Sequence, residues 1–419
     1  MKLAFRLVAV ALVLIVGVAT WVGVARVEAA APPAQLAITS SSTWIPASGS
    51  PPAVTPPSSG SLAVDGVIGA SPANLARADA ASARPIASIA KAMTALVILE
   101  THPLSTAEPG PVLTITQLDV NDYLRIAAHD GSVVPVFLGE RFSERELLLG
   151  LMLPSANNLA LTASRWIDGT LDAFVAHLNA RATALGMAHT HFADPDGLDA
   201  GTTSTAADLV LLAEAVVANN SLVEVVSTAT ATMPDGTVVG NLDQLLGSEP
   251  GWIGIKTGWT PEAGGCLLFA ARRPGPLGAA TVTVVGAVLA QPPDSTFDPQ
   301  HPELGGAFQT ARTAVETSFA GYSLVRVASS TIPIDGEVAT PWGEASGVAL
   351  DGADQQVLVR LGEPLEVSTT PDPLMTPAGD GAHAGRVRVS RHGEALGTWS
   401  VVTTSSFGGP SVWWKLLHN

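Results

Sequence analysis

The chain has 419 residues, which is enough for two or three domains with sizeable buried cores. Its formal net charge is −16 and no basic run offsets this charge, which argues against a nucleic-acid partner. The single cysteine, Cys266, cannot form an intramolecular disulfide, so the fold must be stabilised by its core. Because Cys266 lies in an apolar run, we expect an inert core thiol.

The N-terminal segment predicts export. Residues 7–25 carry no charge and are flanked by Arg6 and Arg26, and the basic residues that precede them favour a cytoplasmic N-terminus. The run is close to the minimal length of a membrane span, while the small residues before Pro32 offer a cleavage site. Residues 1–31 are therefore either a signal peptide or an N-terminal membrane anchor. We expect the rest of the chain to be exported, to the extracellular face of the cytoplasmic membrane or to the cell wall.

Residues 32–60 form a predicted linker, because they contain seven prolines and seven serines and show no periodic apolar pattern. Folded structure is predicted to begin at Ser61. Two short apolar runs flank Asp65-Gly66 there, a pattern that is typical of a hairpin with a two-residue turn.

The middle of the chain is predicted to be rich in helices. The stretch 86–100 is too uniformly apolar for a surface helix, so we interpret it as a buried helix with Ser88 in its first turn. Ser143 and Glu146 have the spacing of a capping box before a leucine-rich helix. The apolar spacing across 166–185 predicts one further helix.

The pattern then changes to strands at 254–258, 266–271 and 281–289. Helices followed by a small antiparallel sheet predict an α/β (α+β) sandwich domain over residues 61–320. Residues 321–419 show no helical period, and their short apolar runs are separated by turn residues. They predict a separate all-β domain, with the residues Trp413-Trp414-Lys415-Leu416-Leu417 as its last strand.

The chain's few lysines indicate its chemistry. Only four occur, namely Lys2, Lys91, Lys256 and Lys415. Lys91 closes a Ser-x-x-Lys motif that Ser88 opens, and on a helix two residues three apart share a face. A buried lysine with a lowered pKa can take the serine proton, and backbone N–H groups of the first helical turn can stabilise an oxyanion. The Ser-x-x-Lys spacing alone is a weak signal because it occurs often by chance.

Two further motifs follow in a fixed order. Ser155 and Asn157 form a Ser-x-Asn after Pro154, where the hydroxyl can relay a proton and the amide can position substrate or Lys91. Lys256-Thr257-Gly258 lies in a predicted strand and offers a cation, a hydroxyl and room for close backbone approach. The backbone N–H of Trp259 is the expected second oxyanion donor. Each motif alone is weak, whereas three in this order on suitable elements form a strong signal.

Together with their flanks, these motifs resemble the low-molecular-mass penicillin-binding proteins, the serine-type D-alanyl-D-alanine carboxypeptidases. The similarity covers about residues 60–320. It includes the segments 84–96, 153–158, 191–199 and 254–264. The resemblance implies a catalytic domain like those of serine β-lactamases and transpeptidases, and an accessory domain that agrees with the family's only in position and class.

The resemblance also implies roles for the motif residues. Ser88 would attack the carbonyl between the terminal D-alanines of a peptidoglycan stem peptide and form an acyl-enzyme, with Lys91 as the base. Ser155 and Asn157 would be the relay and positioning pair, and Lys256 with Thr257 would bind the substrate carboxylate. β-Lactam antibiotics would acylate Ser88 as inhibitors. No cofactor is implied.

Trp259 departs from the family, because a tyrosine or histidine is expected there. A β-lactamase shares the motifs but often needs a glutamate 35 to 40 residues after the Ser-x-Asn, and residues 190–196 contain none. Endopeptidase or transpeptidase activity stays open, since the shape of the cleft decides it. A non-catalytic cell-wall-binding scaffold is the alternative from another class, although no motif residue is lost.

Metal binding is disfavoured on the sequence. His189 and His191 form a His-x-His pair without a third ligand at suitable spacing. Asp194, Asp196 and Asp199 could suggest calcium, but the intervening proline and glycine favour a turn.

Overall fold

The structure is a computed structural model that describes residues 2–38, 42–68, 71–274 and 281–418. Its residues divide into two compact units. One unit comprises residues 51–322, and the other combines residues 1–50 with 323–419. We call the first the catalytic unit, after the activity that its motifs lead us to expect, and the second the sheet unit.

Helices and strands are numbered along the chain. The helices are α1 (Lys2–Glu28), α2 (Ala90–Thr101), α3 (Gln117–Ala127), α4 (Glu144–Met152), α5 (Asn157–Asp168), α6 (Leu171–Ala184), α7 (Ala206–Ala218), α8 (Asn220–Val226), α9 (Pro302–Ala320) and α10 (Val412–His418). The strands are β1 (Gln35–Ile38), β2 (Thr43–Trp44), β3 (Ser61–Ile68), β4 (Ser71–Ala78), β5 (Arg84–Pro85), β6 (Val112–Thr114), β7 (Arg141–Ser143), β8 (Thr203–Ser204), β9 (Thr230–Thr232), β10 (Val238–Gly240), β11 (Trp252–Thr260), β12 (Gly264–Arg273), β13 (Val282–Gln291), β14 (Tyr322–Val327), β15 (Gly336–Ala339), β16 (Ala345–Asp351), β17 (Gln355–Arg360), β18 (Leu365–Pro371), β19 (His383–Arg391) and β20 (Glu394–Thr403).

The catalytic unit is built on an antiparallel five-stranded sheet with the order β11-β12-β13-β3-β4. Helices α7 and α9 pack on this sheet, and α2 lies among α4, α5, α6, α7 and α8. The three predicted strands are found as β11, β12 and β13, and the expected α/β (α+β) class is confirmed. A large apolar core lies between the sheet and helices α2 and α4 to α8.

Helix α2 explains why the segment 86–100 is so apolar. Ten of its residues, from Ala90 to Leu99, are buried, so every face of the helix contacts protein. The predicted buried helix is confirmed, with a 3₁₀ turn at Ala87–Ile89 that carries Ser88 ahead of it. The capping box of Ser143 and Glu146 is also confirmed at the start of α4.

Two local predictions in this unit were wrong. Residues 61–68 form the single strand β3, because β13 and β4 pair with its two edges, and Asp65-Gly66 lies inside the strand next to a bulge. The predicted helix 166–185 is two helices. Gly169, at φ +78°, ends α5, and the Thr170 hydroxyl accepts a hydrogen bond from the backbone N–H of Ala173 to begin α6.

The sheet unit contains a seven-stranded sheet with the order β1-β15-β16-β20-β19-β18-β2. Two of its strands come from the N-terminal side, since β1 pairs with β15 and β2 pairs with β18. Part of the predicted linker is therefore a component of this sheet, where Leu36 and Trp44 pack against its cores. The predicted last strand at 413–417 was also wrong, because those residues lie in helix α10.

Helix α1 contains a stretch, Arg6–Glu28, that is long and apolar enough to cross a membrane. Its side chains are mostly exposed over this stretch.

Candidate active site

The hydroxyl of Ser88 lies beside the amine of Lys91. The 3₁₀ turn at Ala87–Ile89 runs directly into α2, so both side chains lie on one face, and Lys91 Nζ is 2.7 Å from Ser88 Oγ. Ala87 has a φ of +47°, which is unusual for a residue with a side chain and costs about 1 kcal/mol. The motif is therefore held in a strained turn at the start of a buried helix.

Lys91 is fully buried and donates three hydrogen bonds. Besides the Ser88 hydroxyl, its Nζ contacts Asn157 Oδ1 at 2.6 Å and the backbone carbonyl of Asp196 at 2.8 Å. None of these acceptors is a carboxylate. Burial lowers the pKa of Lys91 to about 8, although the charges of Asp196 and Asp194 act in the opposite direction. The amine can therefore exist in its neutral form near physiological pH.

The Ser-x-Asn motif lies between α4 and α5. Ser155 has a φ of +66° and lines the cleft, while Asn157 is the first residue of α5 and contacts Lys91. The backbone N–H of Asn157 donates to Ser132 O at 2.8 Å, and this ties the motif to a neighbouring loop of the cleft. Asn158 strengthens the same connection, because its amide group makes two hydrogen bonds to the backbone of Val134.

Strand β11 carries the third motif past the 3₁₀ turn. A Cβ atom on Gly258 would lie 3.1 Å from the backbone nitrogen of Ser88 and 3.1 Å from Ile86 O, so a side chain at this position would displace the turn. Thr257 and Trp259 line the cleft on either side of this glycine, and Trp259 is 46% exposed.

Lys256 is buried beneath the strand, and its Nζ donates to the carbonyl of Thr257 at 3.0 Å. Burial, with a further contribution from the charge of Lys91, lowers its pKa well below the usual value. The charge of Asp243 acts in the opposite direction and raises the pKa of Lys256. This buried carboxyl accepts hydrogen bonds from Trp252 Nε1 at 2.9 Å and from the backbone of Leu245, and burial raises its pKa to about 6.

The loop that contains Asp194 and Asp196 closes the site beneath Lys91. The carboxylate of Asp194 accepts hydrogen bonds from the backbone of Gly197 at 3.0 Å and of Asp199 at 2.8 Å, which confirms the predicted turn. Gly197 has a φ of +79°, and a Cβ atom there would lie 1.8 Å from Ala87 O. Burial raises the pKa of Asp196 to about 7 even though Lys91 lies nearby.

These elements border a cleft of about 600 Å³. Of the predicted site residues, Ser88, Ser155, Thr257, Gly258 and Trp259 line it, whereas Lys91, Asn157 and Lys256 lie behind its wall. All eight are thus brought into one neighbourhood.

Sequence reasoning missed two groups of residues at the site. His301 and Glu303 line the cleft, and His301 Nδ1 is 3.3 Å from Glu303 Oε1. They begin α9, more than 40 residues beyond the last motif, so no motif spacing points to them. The second group is Asp243, whose charge acts on Lys256, and the backbone carbonyl of Asp196, which binds Lys91. Folding alone brings these groups to the two lysines, although the sequence does predict a turn at Asp194 and Asp196.

No metal centre accompanies the site in the described part of the chain, where no three histidine, cysteine or acidic side chains converge. Cys266 is buried in β12, and burial raises the pKa of its thiol to about 12. It is an inert core thiol, as expected.

The arrangement provides the groups that acyl transfer requires. A serine hydroxyl contacts an amine that can lose its proton, a second hydroxyl lies in the same cleft, and backbone N–H groups of a helical turn adjoin the serine.

Comparisons with known proteins agree with this chemistry. A family model described as D-alanyl-D-alanine carboxypeptidase matches residues 62–286. The D-alanyl-D-alanine carboxypeptidase of Streptomyces sp. strain K15 is 35% identical over 223 residues, which is 49% of this chain and 72% of that protein. D-alanyl-D-alanine carboxypeptidase DacB2 of Mycobacterium tuberculosis is 35% identical over 207 residues, 48% of this chain and 67% of that protein. The crystal structure of the Streptomyces K15 DD-transpeptidase superimposes with a TM-score of 0.52 at 30% identity, and the match covers 64% of this chain and 100% of that one.

Proposed function

The chain belongs to the D-alanyl-D-alanine carboxypeptidase family, and from that premise we propose that it is a serine peptidase whose acyl-enzyme forms on Ser88. The activity is the removal of the terminal D-alanine from peptidoglycan stem peptides. The observation that carries the assignment of the nucleophile is the 2.7 Å contact between Lys91 Nζ and Ser88 Oγ.

The first step is acylation. Neutral Lys91 takes the proton of Ser88, whose oxygen attacks the carbonyl carbon between the two terminal D-alanines. The negative charge on the carbonyl oxygen would be stabilised by the backbone N–H groups of Ser88 and Trp259. This is supported by the close approach of strand β11 to the turn, since a Cβ atom on Gly258 would lie 3.1 Å from the backbone nitrogen of Ser88. The C–N bond then breaks, and the leaving D-alanine nitrogen receives a proton through Ser155.

The second step is hydrolysis of the ester. Water attacks the acyl carbon, gives up a proton to the restored base, and releases the shortened peptide while Ser88 regains its hydroxyl. Asn157 holds Lys91 in place through both steps, since it accepts a hydrogen bond from Nζ at 2.6 Å. No metal or organic cofactor is needed for this sequence of proton transfers.

We assign the substrate carboxylate to the end of the cleft that Thr257 lines. Thr257 lines the cleft and its Oγ1 lies 3.4 Å from the Nζ of buried Lys256. A substrate carboxylate there would be bound by the hydroxyl and would in turn stabilise the charged form of the Lys256 amine, whose pKa burial lowers. β-Lactam antibiotics present a carboxylate and a reactive carbonyl together, and they should occupy the same positions and acylate Ser88.

The proposed location follows from α1. Its apolar stretch would direct export, either as a cleaved signal or as an anchor, and the catalytic unit would act on the extracellular face of the cytoplasmic membrane or in the cell wall. This agrees with a substrate that is part of the cell wall.

The test uses the full chain, its Ser88→Ala variant and a fluorescent penicillin. We expect a long-lived covalent label on the wild type only, together with release of D-alanine from a synthetic stem peptide. A label that forms and quickly decays would instead indicate a β-lactamase. A folded wild-type protein that neither binds the label nor releases D-alanine would be the non-catalytic scaffold.

A further inference from the structure

Two ionisable side chains of the cleft have no part in the proposed mechanism. Among the residues of the described chain that line the cleft, only His301 and Glu303 have ionisable side chains. The two lysines of the site lie behind its wall. Glu303 is therefore the acidic side chain that a bound substrate can meet directly, and 32% of it is exposed.

The segment that precedes α9 holds these side chains in place. Asp298 is fully buried, and its carboxylate accepts hydrogen bonds from two backbone N–H groups, one of which is that of His301 at 2.9 Å. The backbone N–H of Asp294 donates to the carbonyl of Pro302 at 2.7 Å and so ties the start of the segment to the start of the helix. Because this backbone is already fixed, Glu303 can bind a ligand at a small cost in conformational entropy.

The start of α9 lies at the end of the cleft that Trp259 lines. Gly265 of β12 pairs with Trp259 of β11, and a Cβ atom on Gly265 would lie 2.6 Å from the carbonyl oxygen of Glu303. Thr257, beside which we placed the substrate carboxylate, lies two positions earlier on β11. A peptide whose carboxylate lies at Thr257 and whose scissile carbonyl lies at the nucleophile would therefore continue towards Trp259 and Glu303. The residues that precede its two D-alanines would meet the carboxylate there.

A carboxylate in this position favours a positively charged ligand. An ammonium group beside Glu303 would make a charge-assisted hydrogen bond, whereas a neutral amide would not and an anionic group would be repelled. His301 contacts Oε1 of the carboxylate, so the second oxygen can accept a bond from a ligand. The net charge of −16 on the chain attracts cationic peptides from a longer distance in the same sense.

We propose that Glu303 is a specificity-determining residue, which selects stem peptides that carry a free primary amine on the residue before the two terminal D-alanines. The preferred substrate is thus a cationic peptide, and a peptide whose amine has been acylated is a poorer one. The inference rests on the proposed function and adds which peptides the cleft prefers. It also implies that the enzyme acts before a reaction that acylates this amine.

The test uses the full chain and synthetic peptides that end in D-alanyl-D-alanine and are acetylated at their N-terminus. The residue before the terminal pair is lysine, Nε-acetyl-lysine or Nε-succinyl-lysine, and release of D-alanine gives kcat/KM for each peptide. The variants are Glu303→Gln and Glu303→Lys. Glu262→Gln is the matched control, because it removes the same charge from an exposed side chain in the turn between β11 and β12, outside the cleft. Labelling with fluorescent penicillin confirms that each variant is folded.

We expect the wild type to prefer the lysine peptide over the acetyl-lysine peptide about tenfold in kcat/KM, as a hydrogen bond to a charged group would give. Glu303→Gln should bring this ratio close to one, Glu303→Lys should favour the succinyl-lysine peptide, and Glu262→Gln should keep the wild-type ratio.

Equal kcat/KM values for the two peptides in the wild type would overturn the inference, and so would a preference that Glu303→Gln retains. If Glu262→Gln loses the preference to the same extent, the overall charge of the chain causes it, and the role of Glu303 is wrong. A wild type that neither releases D-alanine from any peptide nor binds penicillin would instead contradict the proposed function, and the inference would fail with it.

Discussion

Each unit buries a basic side chain, and the groups around the two differ. Lys91 of the catalytic unit is fully buried, and its nitrogen contacts a hydroxyl, an amide oxygen and a peptide carbonyl. Arg391 of the sheet unit is 4% exposed, and its guanidinium forms an ion pair with Glu363 and bonds the carbonyl of Leu358. Lys91 lacks a direct anionic partner and can lose its proton, whereas the arginine is compensated and stays charged.

The comparison shows that the groups around a buried charge indicate whether the charge is structural or can take part in proton transfer. A charge matched by a bonded carboxylate contributes to specificity or stability of the fold and leaves no group free for chemistry. A charge that is surrounded by neutral acceptors has a shifted pKa and can move a proton.

The largest expected effect is that of Lys91→Met. The variant keeps the volume of the side chain but has no base, so the rate at which penicillin acylates Ser88 should fall by a factor on the order of 10³ or more. The measurement is the second-order rate constant of fluorescent-penicillin labelling.

Lys91→Arg makes this prediction sharper, because it keeps a cation and hydrogen-bond donors but cannot become neutral. It should be as inactive as the methionine variant. Near-wild-type labelling of Lys91→Arg would mean that the charge of Lys91, and not its basicity, is what the site requires.

Arg391→Leu should affect the other unit alone. Removing one partner of a buried ion pair leaves Glu363 uncompensated, and we expect a loss of about 3 kcal/mol in the stability of the sheet unit. Hydrogen exchange of the β19 and β20 amides measures that loss, while penicillin labelling should be unchanged.

The matched control is Arg326→Leu, which breaks an exposed ion pair with Asp354 in the same unit. Its cost should be below about 1 kcal/mol because solvent already screens the pair. Equal losses for the two arginine variants would remove the distinction between buried and exposed pairs in this unit.

The third prediction concerns pH. In the proposed mechanism the neutral form of Lys91 is the base, and burial lowers its pKa to about 8, so the acylation rate should rise as pH increases towards that value. Well below pH 8 the rate should fall about tenfold for each pH unit, because the neutral fraction falls by that factor. Labelling rates between pH 6 and 10 at constant ionic strength test this, and a rate that is flat from pH 6 upward would contradict it.

Asp196→Asn should move the rising part of that profile. The negative charge of Asp196 raises the pKa of Lys91, whereas the backbone carbonyl that binds Nζ is kept in the variant. The amine should therefore become neutral at lower pH, and the profile should shift in the acidic direction. A shift in the alkaline direction would mean that the carboxylate does not act on Lys91 as a charge.

The same contrast explains what the sequence could predict. Ser88 and Lys91 are three residues apart, so their contact is a local property of the helix that the spacing alone predicts. The carbonyl of Asp196 lies 105 residues beyond Lys91, and only the folded chain brings it to the amine. Lys256 and Asp243 illustrate the same point, because the motif identifies the lysine while its acidic neighbour is given by the fold.

The wrong predictions of secondary structure have a related cause. Asp65-Gly66 has the composition of a turn, but pairing of β3 with neighbours on both edges outweighs that local preference. Residues 35–38 and 43–44 have the composition of a linker, yet their partners are strands of the C-terminal sheet some 300 residues later. Long-range pairing of this kind leaves no local pattern in a single sequence.

The smallest expected effect is that of Glu144, whose surroundings differ from those of both Lys91 and Arg391. This first residue of α4 is fully buried, and neither oxygen of its carboxyl group has a hydrogen-bond partner in the described part of the chain. Burial raises its pKa to about 7 from 4.5, so the carboxyl is protonated at no cost below pH 4.5, and the folded state loses stability as pH rises towards 7. It is a buried acid that has neither a compensating cation nor a place in the cleft.

Glu144→Gln should therefore raise the melting temperature by a few degrees at pH 8 relative to its effect at pH 4, since the amide has nearly the same shape and never ionises. The matched control is Glu146→Gln on the same helix, whose carboxylate accepts hydrogen bonds from the backbone and hydroxyl of Ser143. That change weakens a capping box and should lower the melting temperature at pH 8. If both variants lower the melting temperature by the same amount at pH 8, Glu144 has an anionic role that its surroundings do not reveal. Burial without a hydrogen-bond partner would then not tell whether a carboxylate destabilises the fold or serves a function. Opposite signs would show that a carboxylate of this helix stabilises the fold where it has hydrogen-bond partners, as half-buried Glu146 does, and destabilises it where it is buried without them.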